Sequence, residues 1–149
     1  MDSVADFQSK YGLTPGTDIQ VYDGDLVNLP VVFDLTVGDE TTALTAATGK
    51  KTWRAPFAFT LTGVRASVTT APTDADLIVD INMGGTTILS TKLSIDATEK
   101  TSTTAATAAV ISTSAITDDA EITIDIDQIG SSVAGAGLKV VLIGTRALS

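Results

Sequence analysis

The stretch Glu121-Ile122-Thr123-Ile124-Asp125-Ile126-Asp127 decides the fold class, because apolar and polar residues alternate strictly along it. Successive side chains of a β-strand point to opposite faces, so the three isoleucines share one face and the polar residues share the other. A strand that is buried on one face and wetted on the other is typical of antiparallel sheets. The stretch therefore predicts an antiparallel strand lying on a hydrophobic core.

A second alternating stretch is Asp76-Leu77-Ile78-Val79-Asp80-Ile81-Asn82, which again predicts one apolar and one polar, wetted face. The glycine pair Gly84-Gly85 follows it and supplies the positive φ angles that a tight hairpin needs. A further strand is predicted after the turn, from Thr86 to Ile95. These segments together predict a β-hairpin.

The apolar phase changes partway along the strand that begins at Phe57. Phe57, Phe59 and Leu61 share one face, whereas the apolar set resumes one residue out of phase at Val64. Gly63 lies at this slip, and an extra residue in one strand of a pair is a β-bulge. The sequence therefore predicts a bulge at Gly63.

Three other segments complete the predicted sheets. Residues 31–37 predict a strand, and the nearly continuous apolar run 137–144 predicts a central strand covered on both faces. Residues 97–109, rich in Ala, Thr and Ser, predict a loop that leads into a short strand at 109–111. Seven or eight short strands without a convincing helix predict an antiparallel β-sandwich over residues 31–149, with jelly roll as the preferred topology.

The first 56 residues differ from the rest, because they are rich in turn residues and, outside the predicted strand 31–37, their apolar side chains are widely spaced. They are too sparse to form a core of their own, so they must pack on the sandwich or on something outside the chain. We therefore predict an extended N-terminal arm over residues 1–30, with Phe7, Tyr11 and Tyr22 as candidate contacts to a partner.

Composition excludes several classes of chemistry. The 149 residues include no cysteine and no histidine, so disulfides, thiolate zinc sites, cysteine nucleophiles and histidine bases are absent. The formal net charge of −9 repels phosphate backbones, so nucleic-acid binding is not expected. The N-terminus has no basic and apolar signal segment, and no apolar run approaches a membrane span, so we expect synthesis in the cytoplasm and no membrane insertion.

Acidic residues cluster between Asp118 and Asp127, where hard cations such as calcium could find carboxylate ligands. No Asp-x-Asp-x-Asp-Gly loop is present, so we favour a solvated strand face preceded by an acidic turn. A glycosidase would need two carboxylates roughly 5 to 9 Å apart in a cleft, for which a small sandwich offers little room. We therefore expect no catalytic residue, no metal and no cofactor.

Trp53 is the only tryptophan, and Arg54 stands beside it. Both residue types are enriched at protein interfaces, and an indole can also form a stacking platform for a sugar. A lone tryptophan at the start of a core strand is more often a core or rim residue. Trp53 and Arg54 are therefore candidate partner contacts, with core packing the favoured interpretation for Trp53.

Five stretches resemble a module of tailed-phage and prophage virion proteins. They are Thr52-Trp53-Arg54-Ala55-Pro56-Phe57-Ala58-Phe59-Thr60-Leu61-Thr62-Gly63-Val64-Arg65-Ala66-Ser67-Val68, residues 76–82, Gly85-Thr86-Thr87-Ile88-Leu89-Ser90-Thr91-Lys92-Leu93, residues 121–130 and Gly137-Leu138-Lys139-Val140. The resemblance covers roughly residues 52–145. It implies a trimeric, non-enzymatic role in virion assembly, and such modules occur both in tail-fibre-like chains and in capsid decoration (cement) proteins.

The short chain and its predicted arm favour the head of the virion. We therefore expect a decoration protein on the capsid surface that bridges and stabilises subunits of the major capsid protein. The alternative is a tail-fibre or receptor-binding component that holds a host glycan through exposed loop aromatics such as Trp53 or Tyr22. A third possibility is a small carbohydrate-active enzyme on the same fold, which would need a carboxylate pair in a cleft.

Overall fold

Eleven β-strands and one short 3-10 helix make up residues 26–148, the part of the chain that the computed structural model describes. The strands are β1 (Leu26–Thr36), β2 (Ala47–Arg54), β3 (Phe59–Ser67), β4 (Leu77–Met83), β5 (Thr86–Thr87), β6 (Leu89–Thr91), β7 (Leu93–Ile95), β8 (Val110–Ile111), β9 (Ala115–Ile116), β10 (Glu121–Gln128) and β11 (Lys139–Leu148). The 3-10 helix spans Ser102–Thr104.

Two antiparallel sheets contain most of these strands. The first sheet has the order β1-β11-β3-β9, and the second has the order β2-β10-β4-β5, with β7 also pairing with β4. Strands β6 and β8 form a separate two-stranded pair. The predicted all-β, antiparallel sandwich is confirmed, while the jelly-roll topology stays a prediction.

The core lies where the apolar faces of the two sheets meet. From the second sheet it includes Ile122, Ile124 and Ile126 of β10, each at most 1% exposed. From the first sheet it includes Val140 and Leu142 of β11, also at most 1% exposed. Full burial of each such side chain stabilises the fold by about 1.5–3 kcal/mol, so the alternation is the main source of stability.

Both predicted irregularities of the backbone are confirmed. The β3–β11 register passes from Gly63 opposite Ile143 to Leu61 opposite Gly144, which leaves Thr62 as the extra residue of a bulge. Gly84 and Gly85 have φ angles of 57° and 81°, as a two-residue type I′ turn requires. The hairpin between β4 and β5 therefore closes where the glycine pair predicts.

Some predicted boundaries were wrong. The continuous strand from Thr86 to Ile95 is divided into β5, β6 and β7, which pair with different neighbours. Residues 97–109 form a loop, as predicted, although one 3-10 turn interrupts it. Strand β1 begins at Leu26 rather than at residue 31, so the last five positions of the predicted arm, 26–30, belong to a strand. The rest of the arm lies outside the described residues.

Gly144 is required by close packing between β11 and β3. A Cβ at this position would overlap the Thr60 carbonyl oxygen and come within 2.8 Å of Phe59 Cδ2. Gly63 lies on β3, opposite Ile143, the residue before Gly144. A Cβ at Gly63 would meet only Ile143 atoms at 3.8 Å, an ordinary contact. The two glycines thus form a matched pair for substitution.

We predict that Gly144→Ala lowers the free energy of unfolding by about 1–3 kcal/mol, because backbone and a buried ring must shift. Gly63→Ala should change it by less than about 1 kcal/mol. Urea denaturation followed by circular dichroism measures both values. Equal stabilities for the two variants would contradict the close packing described for Gly144.

Candidate functional site

Trp53 lies in an aromatic cluster that contains every aromatic side chain of residues 26–148. Its ring centroid is 4.8 Å from that of Phe33, which is also 5.1 Å from Phe59 and 5.8 Å from Phe57. The Arg146 guanidinium lies 4.1 Å above the Phe57 ring, a cation–π arrangement. Trp53 is half-buried and stacks on its neighbours rather than standing free at a loop tip, so the core-packing interpretation is confirmed.

Arg54 is exposed and forms ion pairs with acidic neighbours. Its guanidinium lies 3.5 Å from the Asp119 carboxylate and 3.3 Å from the Glu121 carboxylate. It also donates a hydrogen bond of 3.0 Å to the Asp119 carbonyl oxygen. Two of the clustered acids therefore hold an arginine of the neighbouring strand. The other candidate contacts, Phe7, Tyr11 and Tyr22, lie outside the described residues.

The polar face of β4 is buried, contrary to the prediction that it is wetted. Asp80 is only 5% exposed, and its carboxylate accepts hydrogen bonds from the Ile81 amide at 2.8 Å and from the Thr87 hydroxyl at 2.6 Å. Lys92 Nζ lies 3.0 Å from the same carboxylate and also pairs with Asp127. Lys92 thus lies between two acids, one of them buried.

Asp125 takes part in the same polar layer. It accepts hydrogen bonds from the Gly49 amide at 2.7 Å and from the Asn82 side-chain amide at 2.9 Å. Within residues 26–148 no group of three or more acidic side chains is placed to hold a metal ion. The acids of β10 bind an arginine, a lysine, a side-chain amide and a backbone N–H from neighbouring segments, which is a structural role.

The outer face of the first sheet carries an exposed apolar strip, which we define as Val32, Val141 and Ile143. Val32 of β1 lies directly opposite Ile143 of β11 and is 61% exposed. Val141 and Ile143 are half-buried, and Gly63, which faces Ile143 from β3, adds no side chain. The predicted central position of β11 is confirmed, but its outer face is only partly covered.

A groove borders this strip along β3. It has a volume of about 580 Å³ and is lined on one side by residues 62–65 and on the other by residues 108–111, together with Ser102 and Thr103. Buried Leu93 completes the lining. Arg65 is the one charged residue of the lining, which otherwise consists of small hydroxyl-bearing and aliphatic residues. No carboxylate is present in this lining.

Two features of the sequence indicate apolar residues on the outer face of the first sheet. Val32 interrupts the alternation of β1, and the continuous run of β11 places apolar residues on both faces. A continuous run is normally explained by a strand covered on both sides. The groove has no comparable signal, because it depends on how the loop before β8 passes the edge of β3.

Comparisons with known proteins add no assignment. No protein-family model, no curated protein and no solved structure matches the chain. Within residues 26–148 no helix has the length and apolar character needed to cross a membrane.

The Lys92 ion pairs give a prediction with a defined pH dependence. Hydrogen bonds to Asp127 and Asp80 raise the pKa of Lys92 above its ordinary value. A raised lysine pKa means that the protonated form stabilises the fold, so this contribution is complete below the unfolded-state pKa of about 10.4 and is lost as pH rises through the folded-state value.

We predict that Lys92→Met lowers the free energy of unfolding by about 1–2 kcal/mol at neutral pH, because it leaves the Asp80 carboxylate buried without its cation. The loss is smaller than for a fully buried pair, because Lys92 is 43% exposed and solvent screens it. Urea denaturation from pH 6 to 11.5 measures the difference, which should shrink above about pH 10.4. Lys100→Met, an exposed control, should change stability by less than about 0.5 kcal/mol. A Lys92→Met deficit that persists unchanged at pH 11.5 would contradict the ion-pair account.

Proposed function

We propose that this chain is a non-enzymatic structural protein of a tailed-phage virion, namely a decoration protein that binds the major capsid protein on the capsid surface. The observation that carries the proposal is the exposed apolar strip on the outer face of the first sheet, where Asp34 and Arg65 flank Val141. Val32 and Ile143 lie directly opposite each other on adjacent strands, so they present one continuous patch. The resemblance of residues 52–145 to virion modules supplies the identity of the partner.

The rigidity of the sheet supports a docking role. Strand β11 pairs with β1 and β3 over most of its length, so the strip is carried by β11 and the adjoining edge strand β1 and not by a loop. A surface that is ordered before binding loses little conformational entropy on association. The strip is small, so it would act as the apolar centre of an interface whose polar rim comes from flanking residues such as Asp34, Arg65 and Thr145.

A protein that repeats this strip several times would bridge neighbouring capsid subunits. A homotrimer, as the resemblance implies, would present three copies of the strip to neighbouring shell subunits. Because linked contacts reinforce one another, modest individual affinities then give tight overall attachment. Attachment across subunit boundaries would resist the outward pressure of a packaged genome.

The glycan-binding alternative has less support within residues 26–148. It requires an aromatic ring open to solvent, whereas Trp53 packs on Phe33 and the Phe57 ring is covered by Arg146. The enzymatic alternative requires a carboxylate pair in a cleft, and the lining of the groove contains no carboxylate. The exposed apolar strip instead favours contact with another protein.

We predict that Val32→Lys weakens binding to capsids stripped of minor proteins by about tenfold or more, because it places an unpaired charge in the apolar centre of the interface. Co-sedimentation of purified, labelled protein with stripped capsids measures the affinity. Val133→Lys is the matched control, since Val133 is 42% exposed in the loop between β10 and β11.

The control should bind as the unmodified protein does, at a fixed ratio to shell subunits. Equal binding by the two lysine variants would show that the strip is not the docking surface. Binding of the unmodified protein to host cells but not to capsids would overturn the decoration proposal and favour a tail component.

A further inference from the structure

The edge of β3 has a gap in its pairing where the groove lies. On the side away from β11, β3 pairs with β9 at Phe59 and Thr60, and the Leu61 amide donates to the Ser114 carbonyl at 2.7 Å. Pairing resumes only at Ser67, which forms an isolated bridge with Thr101. Within the described residues, positions 62–65 have no β-partner on this side, and these positions line the groove.

Val64 directs unpaired backbone groups into this gap. Backbone groups of alternate residues in a strand point to the same side. The Ala66 amide donates to the Ser102 hydroxyl at 2.9 Å, and the Val68 amide donates to the Lys100 carbonyl at 3.0 Å. The N–H and C=O of Val64 therefore face the same way, away from β11. No hydrogen bond to them on that side is found within residues 26–148.

The groove also contains one cation without an acidic partner. Arg65 forms no ion pair within the described residues, and it is the one charged residue of the groove lining. The rest of the lining is neutral, with hydroxyls at Thr62, Ser102 and Thr103. A guanidinium next to unpaired backbone groups favours a carboxylate on a ligand that also offers peptide hydrogen bonds.

We propose that the groove receives an extended peptide segment bearing a carboxylate side chain, which adds as a short strand along residues 62–65. Adding a strand to an open sheet edge satisfies main-chain groups on both partners, and side-chain pockets then provide specificity. Four strand residues span about 13 Å, so the segment is short. The carboxylate pairs with Arg65, which lies opposite Val141 on the outer face of the sheet.

The inference rests on the proposed function for the origin of the segment, which we place in the shell subunit. The groove adjoins the apolar strip through Gly63, so one subunit could contact both surfaces. The strip would then supply apolar contact, and the groove would fix the orientation and the register of docking.

A charge-swap titration tests the inference without capsids. The probes are the capped pentapeptides acetyl-TVDVT-amide and acetyl-TVKVT-amide, titrated into 15N-labelled protein and followed by amide chemical shifts. We expect the aspartate peptide to shift the amides of residues 62–65 and of Val110. Arg65→Glu should weaken its binding by about tenfold and reverse the preference toward the lysine peptide. Lys51→Glu, the same charge change in the other sheet, should behave as the unmodified protein.

A second variant removes the backbone donor. Val64→Pro lacks the N–H that strand addition uses but leaves the β11 pairing, which involves the other side of β3. It should abolish the shifts caused by the aspartate peptide. The inference is overturned if the aspartate peptide leaves residues 62–65 unperturbed at millimolar concentration, or if both peptides bind equally to the unmodified protein and to Arg65→Glu.

Stripped capsids separate this inference from the proposed function. Hydrogen exchange of residues 61–67 should slow on capsid binding if the shell supplies the segment. Capsid binding with no protection there and no effect of Arg65→Glu overturns the groove inference and leaves the decoration proposal standing. Peptide binding without capsid binding overturns the decoration proposal and the assignment of the segment to the shell subunit. It leaves the groove as a peptide-binding site. If the unmodified protein forms an oligomer and Arg65→Glu dissociates it, the groove binds a second copy of the chain, and the inference is overturned.

Discussion

The burial of the isoleucine face of β10 is the constraint on which the rest of the structure depends. Ile122, Ile124 and Ile126 lie on a strand that is paired on both sides, with β2 and with β4. A shift of one residue would turn all three to the polar side, so the hydrophobic pattern fixes the register of the second sheet. The opposing sheet then has to supply Val140 and Leu142 to the same core.

The fixed register also determines where the polar residues meet. Asp125 lies directly opposite Asp80, and Thr123 lies opposite Asn82. Two carboxylates at facing positions would repel one another. The structure separates their roles, because Asp80 pairs with Lys92 while Asp125 accepts from Gly49 and Asn82. The polar side of the second sheet is therefore a layer of ion pairs and hydrogen bonds and not a free acidic surface.

Much of the fold could be predicted from local patterns. Alternation, strict in β10 and interrupted at Ile78 in β4, identified these two strands. The glycine pair and the phase slip identified the hairpin turn and the bulge. These features depend on neighbouring residues only. The division of residues 86–95 into three strands could not be predicted, because it depends on which neighbour each short piece finds. The burial of Asp80 was missed for the same reason, since Thr87 and Lys92 cover it only after the chain turns back.

The surfaces that support function depend even more on tertiary structure. A single residue, Val32, breaks the alternation of β1, but its exposure is a property of the assembled sheet. The groove exists because the edge of β3 that faces away from β11 has no β-partner between Leu61 and Ser67, which no local pattern indicates. Residue types alone suggested Arg54 as a candidate partner contact. In the structure Arg54 pairs with Asp119 and Glu121, whereas Arg65 has no acidic partner among the described residues.

The decoration account is tested most directly by electron cryomicroscopy of stripped capsids incubated with the purified protein. The account predicts additional density at regular sites on the outer shell, into which the sandwich fits with the Val32, Val141 and Ile143 strip against a capsid subunit. Absence of such density at saturating protein, or attachment through the second sheet, would contradict it.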